Sequence, residues 1–118
     1  MLLLVLALAQ APIELTPGMV ITQSVRVVPK VYRLSGAPIV VRGDNITVDF
    51  RGATLEGSSA DTAIRVDGGS NVRIVNAHVR GYKVGILARG TVHLFLEKND
   101  LSHNWRPRLL SLVEHESL

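Results

Sequence analysis

Four side chains could hold a ligand through strong hydrogen bonds, and three of them lie in the stretch NVRIVNAHVRGYKVGI. They are Arg73, His78, Arg80 and His93. Arginine forms paired bonds to carboxylates, and histidine both donates and accepts, which suits the hydroxyl and carboxylate groups of a sugar chain. These four residues are therefore the predicted substrate-binding set. The alternative is that they only solvate the outer surface of the fold.

No group of residues predicts a reaction by itself. Glycoside hydrolysis needs two carboxyl groups about 5–9.5 Å apart; Asp49 and Glu56 are the nearest pair, but Asp49 is expected at a corner. Asp44 and Asp67 follow the pattern of turn residues that bond local main-chain N–H groups. Neither a nucleophile elbow nor a phosphate-binding glycine loop is present. A hydrolase would therefore need a partner carboxylate from a further part of the chain.

Metal and cofactor chemistry has little support in the sequence. The chain has no cysteine, and the spacings of its four histidines, His78, His93, His103 and His115, match no compact ligand motif. We expect no metal and no other cofactor.

The charge pattern bears on the choice of partner. The formal net charge is +3, and the arginines are scattered rather than clustered or interleaved with aromatic residues. A nucleic-acid interface would need a concentrated basic face, so we expect no nucleic-acid partner. A mildly basic surface is compatible with an acidic polysaccharide.

A repeat must position the candidate residues. An isoleucine, an aliphatic residue two positions on and a glycine after two more recur together as Ile39-Val41-Gly43, Ile64-Val66-Gly68 and Ile86-Ala88-Gly90. Each glycine is followed by an apolar-polar-apolar triplet, predicted as Ile46-Thr47-Val48, Val72-Arg73-Ile74 and Val92-His93-Leu94. A single inward aliphatic residue then recurs at Leu55, Val79 and Leu101. The alternation predicts short strands with one buried face.

Each unit is too small to close a core alone. Stacking equivalent strands about 4.8 Å apart would place the apolar residues of one unit over those of the next. The sequence therefore predicts an all-β parallel solenoid of about three coils over residues 37–104, preceded by lead-in strands in residues 12–36.

The stretches NVRIVNAHVRGYKVGI and VYRLSGAPIVVRGDNITVDFRGATLEG resemble the repeats of right-handed parallel β-helix proteins of the pectin-lyase-like fold. In those repeats a turn asparagine precedes an apolar strand, and a Gly-Ile pair opens the next coil. The resemblance covers residues 18–104 and implies the scaffold rather than an activity. It makes a carbohydrate-binding protein, or part of a carbohydrate-active one, the leading expectation.

Polysaccharide lyases of this fold commonly use an arginine as base, with carboxylates that hold calcium, and the resemblance makes Arg73 and Arg80 the candidates. No group of outward aspartates accompanies them, so a calcium cluster is not predicted. A lyase or glycoside hydrolase with most catalytic residues beyond this chain remains one alternative. A structural surface solenoid without a ligand is the other.

Aligning the units predicts which outward side chains share a column. The three columns are Thr47-Arg73-His93, Thr54-His78-Asp100 and Glu56-Arg80-Ser102. A polysaccharide could lie along such columns through hydrogen bonds.

The two ends depart from the repeat. Residues 1–11, MLLLVLALAQA, are typical of a secretory signal that ends in the small-x-small pattern before Pro12, although no basic residue precedes the apolar run. The run is too short to span a bilayer, so we expect a secreted or periplasmic protein with no membrane span after cleavage. The alternative is a buried first strand or helix.

Residues 105–118 are predicted to form a loop or a short helix, with Pro107 in its first turn, that leads into a further part of the fold. An exposed last coil would leave strand edges unpaired. That predicts either a longer β-helix or end-to-end association with a second copy.

Overall fold

The computed structural model describes residues 11–110, and within them the main chain folds into thirteen short strands and no helix. The predicted signal segment before Ala11 and the tail after Leu110 lie outside the described residues. No helix within residues 11–110 is long and apolar enough to cross a membrane.

The strands follow one another in groups of three. The first coil holds β1 (Val20–Ile21), β2 (Val25–Arg26) and β3 (Val31–Arg33), and the second holds β4 (Ile39–Val41), β5 (Ile46–Asp49) and β6 (Thr54–Glu56). The third coil holds β7 (Thr62–Asp67), β8 (Ser70–Val75) and β9 (His78–Arg80), and the fourth holds β10 (Val84–Arg89), β11 (Val92–Glu97) and β12 (Asp100–His103). The last described strand is β13 (Arg106–Leu110).

Equivalent strands of successive coils pair in parallel and form three sheets. Sheet 1 has the order β1-β4-β7-β10-β13, sheet 2 has the order β2-β5-β8-β11, and sheet 3 has the order β3-β6-β9-β12. The chain visits the three sheets in turn, so the protein is an all-β parallel solenoid, as the repeat predicts. It has four coils rather than three, because residues 20–33 form a complete coil. Strands of two or three residues are too short to show the alternation in the sequence.

The core is a set of stacked aliphatic columns. Ile39, Ile64 and Ile86 occupy the same register position in sheet 1, and all three are buried. Leu55 and Val79 form a second column in sheet 3. Fully burying such a side chain contributes about 1.5–3 kcal/mol, so the stacking rather than any single coil stabilises the fold.

One predicted register in the fourth coil is wrong. Leu94 pairs with Val72 and Leu96 pairs with Ile74, so the inward triplet is Leu94-Phe95-Leu96 and not Val92-His93-Leu94. Val92 instead lies at the corner with 55% of its surface exposed. Because Val92 is apolar, the sequence pattern places the first inward residue of the strand there, and the predicted triplet is shifted by two positions.

Within the described residues, the segment after residue 105 is a strand and not the predicted loop or short helix. Arg106–Leu110 forms β13, which pairs in parallel with β10 through the Ile86–Arg108 and Ala88–Leu110 positions. Pairing with β10 gives the main chain of β13 several hydrogen bonds, whereas a single helical turn would form very few. Pro107 is compatible with this strand because β13 is the edge of sheet 1 in the part of the chain that the structure describes.

Candidate functional site

The structure does not bring the four predicted binding residues together. Arg73 lies on β8 in sheet 2, and His78 and Arg80 lie on β9 in sheet 3. His93 is the second residue of β11, where the chain passes from sheet 1 to sheet 2, and its neighbour Val92 pairs with Ser70 at the start of β8. Any binding site must therefore be sought around one of these places.

Arg73 lies on the outer surface of sheet 2, where its side chain is held by two neighbouring side chains. Its Nη1 lies 2.7 Å from Oε2 of Glu97, and its guanidinium carbon lies 4.9 Å from the ring centre of Phe95. Phe95 is also its register partner, so the first predicted column is Thr47-Arg73-Phe95 and does not contain His93. The ion pair and the stacking contact use the groups that a ligand would need.

His93 takes a turn position in the corner. The corresponding residues of the two preceding coils are Asn71 and Asn45, and all three have left-handed main-chain φ angles, of 59°, 56° and 56°. Asn71 Nδ2 donates to Asn45 Oδ1 at 3.0 Å. His93 thus follows an asparagine ladder, which is a structural arrangement.

Arg80 belongs to an ionic ladder on sheet 3. Its Nε and Nη2 donate to Glu56 Oε2 at 3.1 and 2.6 Å, and Arg33 Nε lies 3.1 Å from the other carboxylate oxygen. In the next coil the partner of Arg80 is His103 and not the predicted Ser102, because an irregularity in β12 shifts the register.

The pKa of Glu56 lies below its ordinary value of 4.5, chiefly because Arg80 donates hydrogen bonds to the carboxylate, against a smaller opposing effect of desolvation. We expect Arg80→Ala to raise the pKa of Glu56, and Arg33→Ala to raise it less. Carboxyl NMR titration of the two variants measures both shifts. A larger effect of Arg33→Ala would contradict the assignment.

The sign of the associated stability follows from the depressed pKa. Glu56 stabilises the fold above pH 4.5, and this contribution is lost as the pH falls through the lowered folded-state value. Arg80→Ala should therefore flatten the acid limb of a stability-versus-pH curve.

His78 lines an open groove of about 370 Å³ at the corner between sheets 2 and 3. The other lining residues are Asp49, Arg51, Gly52, Asn76 and Lys98. The predicted Thr54-His78-Asp100 column is confirmed by the strand register. We call this groove the His78 groove.

The His78 groove has a well-connected frame. Asp49 Oδ1 accepts hydrogen bonds at 2.9 Å from the main-chain N–H of Arg51 and from Asn76 Nδ2, so it joins two coils. Asn99 accepts from the N–H of Ala77 and donates to the carbonyl of Ile74, both at 2.9 Å. These bonds hold the corners in place, and Arg51 and Lys98 give the groove positive charge.

A second polar cluster continues from His78 onto β12. Ser102 Oγ donates to Asp100 Oδ1 at 2.7 Å and lies 3.0 Å from His103 Nδ1. The pKa of Asp100 is lowered, first by the Ser102 side chain and then by the Ser102 main-chain N–H. Sequence patterns missed this cluster because its members depend on the local irregularity of β12.

The cluster is not a nucleophilic triad. In such a triad the histidine lies between the serine and the carboxylate and takes the serine proton. Here the serine lies between the other two, and its proton is directed at Asp100. Within residues 11–110, moreover, no three His, Cys, Asp or Glu side chains are arranged to hold a metal ion.

Sheet 3 carries another groove, at the carboxyl ends of β3 and β6. Its volume is about 270 Å³, and it is lined by Arg33, Leu34, Ser35, Glu56, Gly57 and Ser58. The outward surface of β6, β9 and β12, which we call the sheet 3 face, therefore has the His78 groove at one end of its strands and this smaller groove beside β6 at the other end. Its side chains are Thr54, Glu56, His78, Arg80, Asp100, Ser102 and His103.

Comparison of the chain with protein-family models, with curated proteins and with solved structures found no significant match.

Proposed function

We propose that the protein is a secreted or periplasmic right-handed parallel β-helix of the pectin-lyase-like type, and that it binds a polysaccharide along the sheet 3 face. The right-handed sense is supported by the general rule that about 98% of crossovers between parallel strands in one sheet are right-handed. The resemblance of the repeat supports the carbohydrate ligand.

The arrangement of the sheet 3 face carries the proposal. On this face, β6, β9 and β12 present only polar or charged side chains outward. Each sugar hydroxyl can both donate and accept, which matches the mixture of His, Ser, Thr and carboxylate groups. Both grooves are open, which suits an extended chain better than an enclosed small molecule.

The charge of the His78 groove favours an acidic ligand. Arg51 and Lys98 outnumber the single carboxylate of Asp49 among the lining residues. A carboxylate or sulfate on the polysaccharide would form charge-assisted hydrogen bonds with them. We therefore expect acidic polysaccharides to bind more tightly than neutral ones.

Affinity electrophoresis against a panel of acidic and neutral polysaccharides, followed by calorimetry, tests the proposal. We expect the double variant H78A/K98A to bind at least about tenfold more weakly, because it removes two of the side chains that line the groove. The matched control is His93→Asn, which suits the left-handed corner and should leave binding unchanged.

Two results would overturn the proposal. If the folded protein retains no polysaccharide in the panel, a structural solenoid is the better explanation. If His93→Asn weakens binding as much as the double variant, the ligand lies at the corner between sheets 1 and 2.

A further inference from the structure

Trp105 is the most exposed of the large apolar side chains in the described residues, with 77% of its surface accessible. It lies two positions after the end of β12, at the corner between sheets 3 and 1. It is also the one tryptophan of the chain. An indole combines a large apolar face with a polar N–H group, which is why tryptophan is enriched at binding interfaces.

The main chain around Trp105 is held firmly. Its N–H donates to the carbonyl of Tyr82 at 3.0 Å, and the N–H of Arg106 donates to Lys83 at 2.8 Å. The side chain of Asn104 accepts from the N–H of Tyr82 at 2.9 Å and donates to the carbonyl of Val79 at 2.7 Å. Trp105 is thus presented from the ladder of the solenoid and not from a loose loop, which lowers the entropy cost of binding.

Trp105 also adjoins the sheet 3 face. Ser102 and His103 precede it on β12, and Asp100 pairs in register with His78 at the other end of that strand. Asp100 and Trp105 are five positions apart, and the chain bends at residues 104 and 105, so their Cα atoms lie less than about 18 Å apart. A polysaccharide that leaves the His78 groove and crosses β12 would reach the indole.

We propose that Trp105 is a stacking platform for one sugar ring of the bound polysaccharide, an inference that rests on the proposed function. A pyranose ring has an apolar C–H face and polar hydroxyl edges. A flat, amphipathic indole covers the face while the hydroxyls of the same ring remain free for Ser102, His103 and water. The indole therefore selects sugars with an uninterrupted C–H face, and the His78 groove selects charge.

Intrinsic fluorescence tests this directly, because Trp105 is the only tryptophan in the chain. The probe is the polysaccharide that binds most tightly in affinity electrophoresis. We expect its titration to shift and saturate the Trp105 emission with the dissociation constant found by calorimetry. Trp105→Ala should weaken binding at least about tenfold, whereas Trp105→Tyr should keep most of the affinity. Val92→Thr, which alters an exposed apolar residue at a different corner, should have no effect.

The possible failures are distinguishable. Calorimetric binding with unchanged emission and unchanged affinity of Trp105→Ala refutes the stacking role and leaves the proposed function standing. No binding of any polysaccharide rejects both. An emission typical of a buried indole without ligand, or one that changes with protein concentration, shows that another part of the chain or a second copy covers Trp105 and also refutes the role.

Discussion

Replacing Gly69 by alanine is expected to destabilise the protein by more than about 3 kcal/mol. A Cβ atom at this position would lie 2.0 Å from the carbonyl oxygen of Gly43 in the coil below, and the φ angle of Gly69 is +79°. The neighbouring main chain cannot easily move apart. The N–H of Asn45 donates to Ser70 at 2.8 Å on one side, and the N–H of Val92 donates to Gly69 at 2.9 Å on the other.

Gly68→Ala is the matched control. Gly68 also has a positive φ, of +64°, but no atom lies within 4 Å of a Cβ built there. Gly68→Ala should lower the free energy of unfolding only by the strain of a left-handed φ angle at alanine, about 1–2 kcal/mol. Urea denaturation of the two variants measures the difference. Equal losses of unfolding free energy would show that contact between stacked corners does not limit this position.

Tyr82→Ala is expected to lower the free energy of unfolding by about 3–5 kcal/mol, as for other large buried aromatic residues. Tyr82 is 1% exposed, and its ring lies against Gly57, where an added Cβ would be 2.5 Å from ring atom Cδ1. Its hydroxyl donates to the carbonyl of Leu34 at 3.0 Å and lies 3.2 Å from that of Glu56. One side chain of the third coil thus ties together the first and second coils.

Tyr82→Phe isolates the hydroxyl and should cost about 1–2 kcal/mol, because two carbonyl groups lose a buried partner. Tyr32→Phe is the control, since the hydroxyl of Tyr32 bonds Val28 within a single coil, at 2.7 Å. Denaturation of both variants by guanidinium gives the comparison. A larger loss for Tyr32→Phe would contradict the bridging role of Tyr82.

The same hydroxyl predicts a loss of stability in alkali. Burial raises the pKa of Tyr82 from 10.0 to about 12. The neutral phenol therefore contributes its full stability below pH 10, and that contribution is lost as the pH rises towards 12. Tyr82→Phe should remove this component. Absorbance titration would refute it if every tyrosine of the folded protein ionised near pH 10.

The strand columns of the core could be predicted from the sequence because alternation reports directly which face is buried. The Ile39-Ile64-Ile86 and Leu55-Val79 columns are confirmed. The first coil is not predicted as a complete coil, because β1 and β2 have only two residues each. Local propensity predicts a loop or short helix around β13, whereas the free edge of β10 decides its structure.

The candidate site was less predictable than the core. His78 was found from its residue type and outward position, but its groove neighbours Arg51 and Lys98 were not. These residues come together at corners of unequal length. Asp49 is in register with Val75 before the corner, and Thr54 is in register with His78 after it. The second coil therefore has two more residues in this corner than the third. No periodic pattern reports such a difference.

The all-β solenoid, the inward columns of its second and third coils and the outward position of His78 follow from the pattern of residues along the chain. Three features depend on the folded arrangement: Arg73 and Arg80 are paired with Glu97 and Glu56, His93 continues an asparagine corner, and Trp105 is exposed at the corner after β12. The difference lies in the range of the interactions. The burial of alternate residues can be recognised within the sequence of a single strand. An ion pair or a groove between coils depends on the register of residues that are more than twenty positions apart.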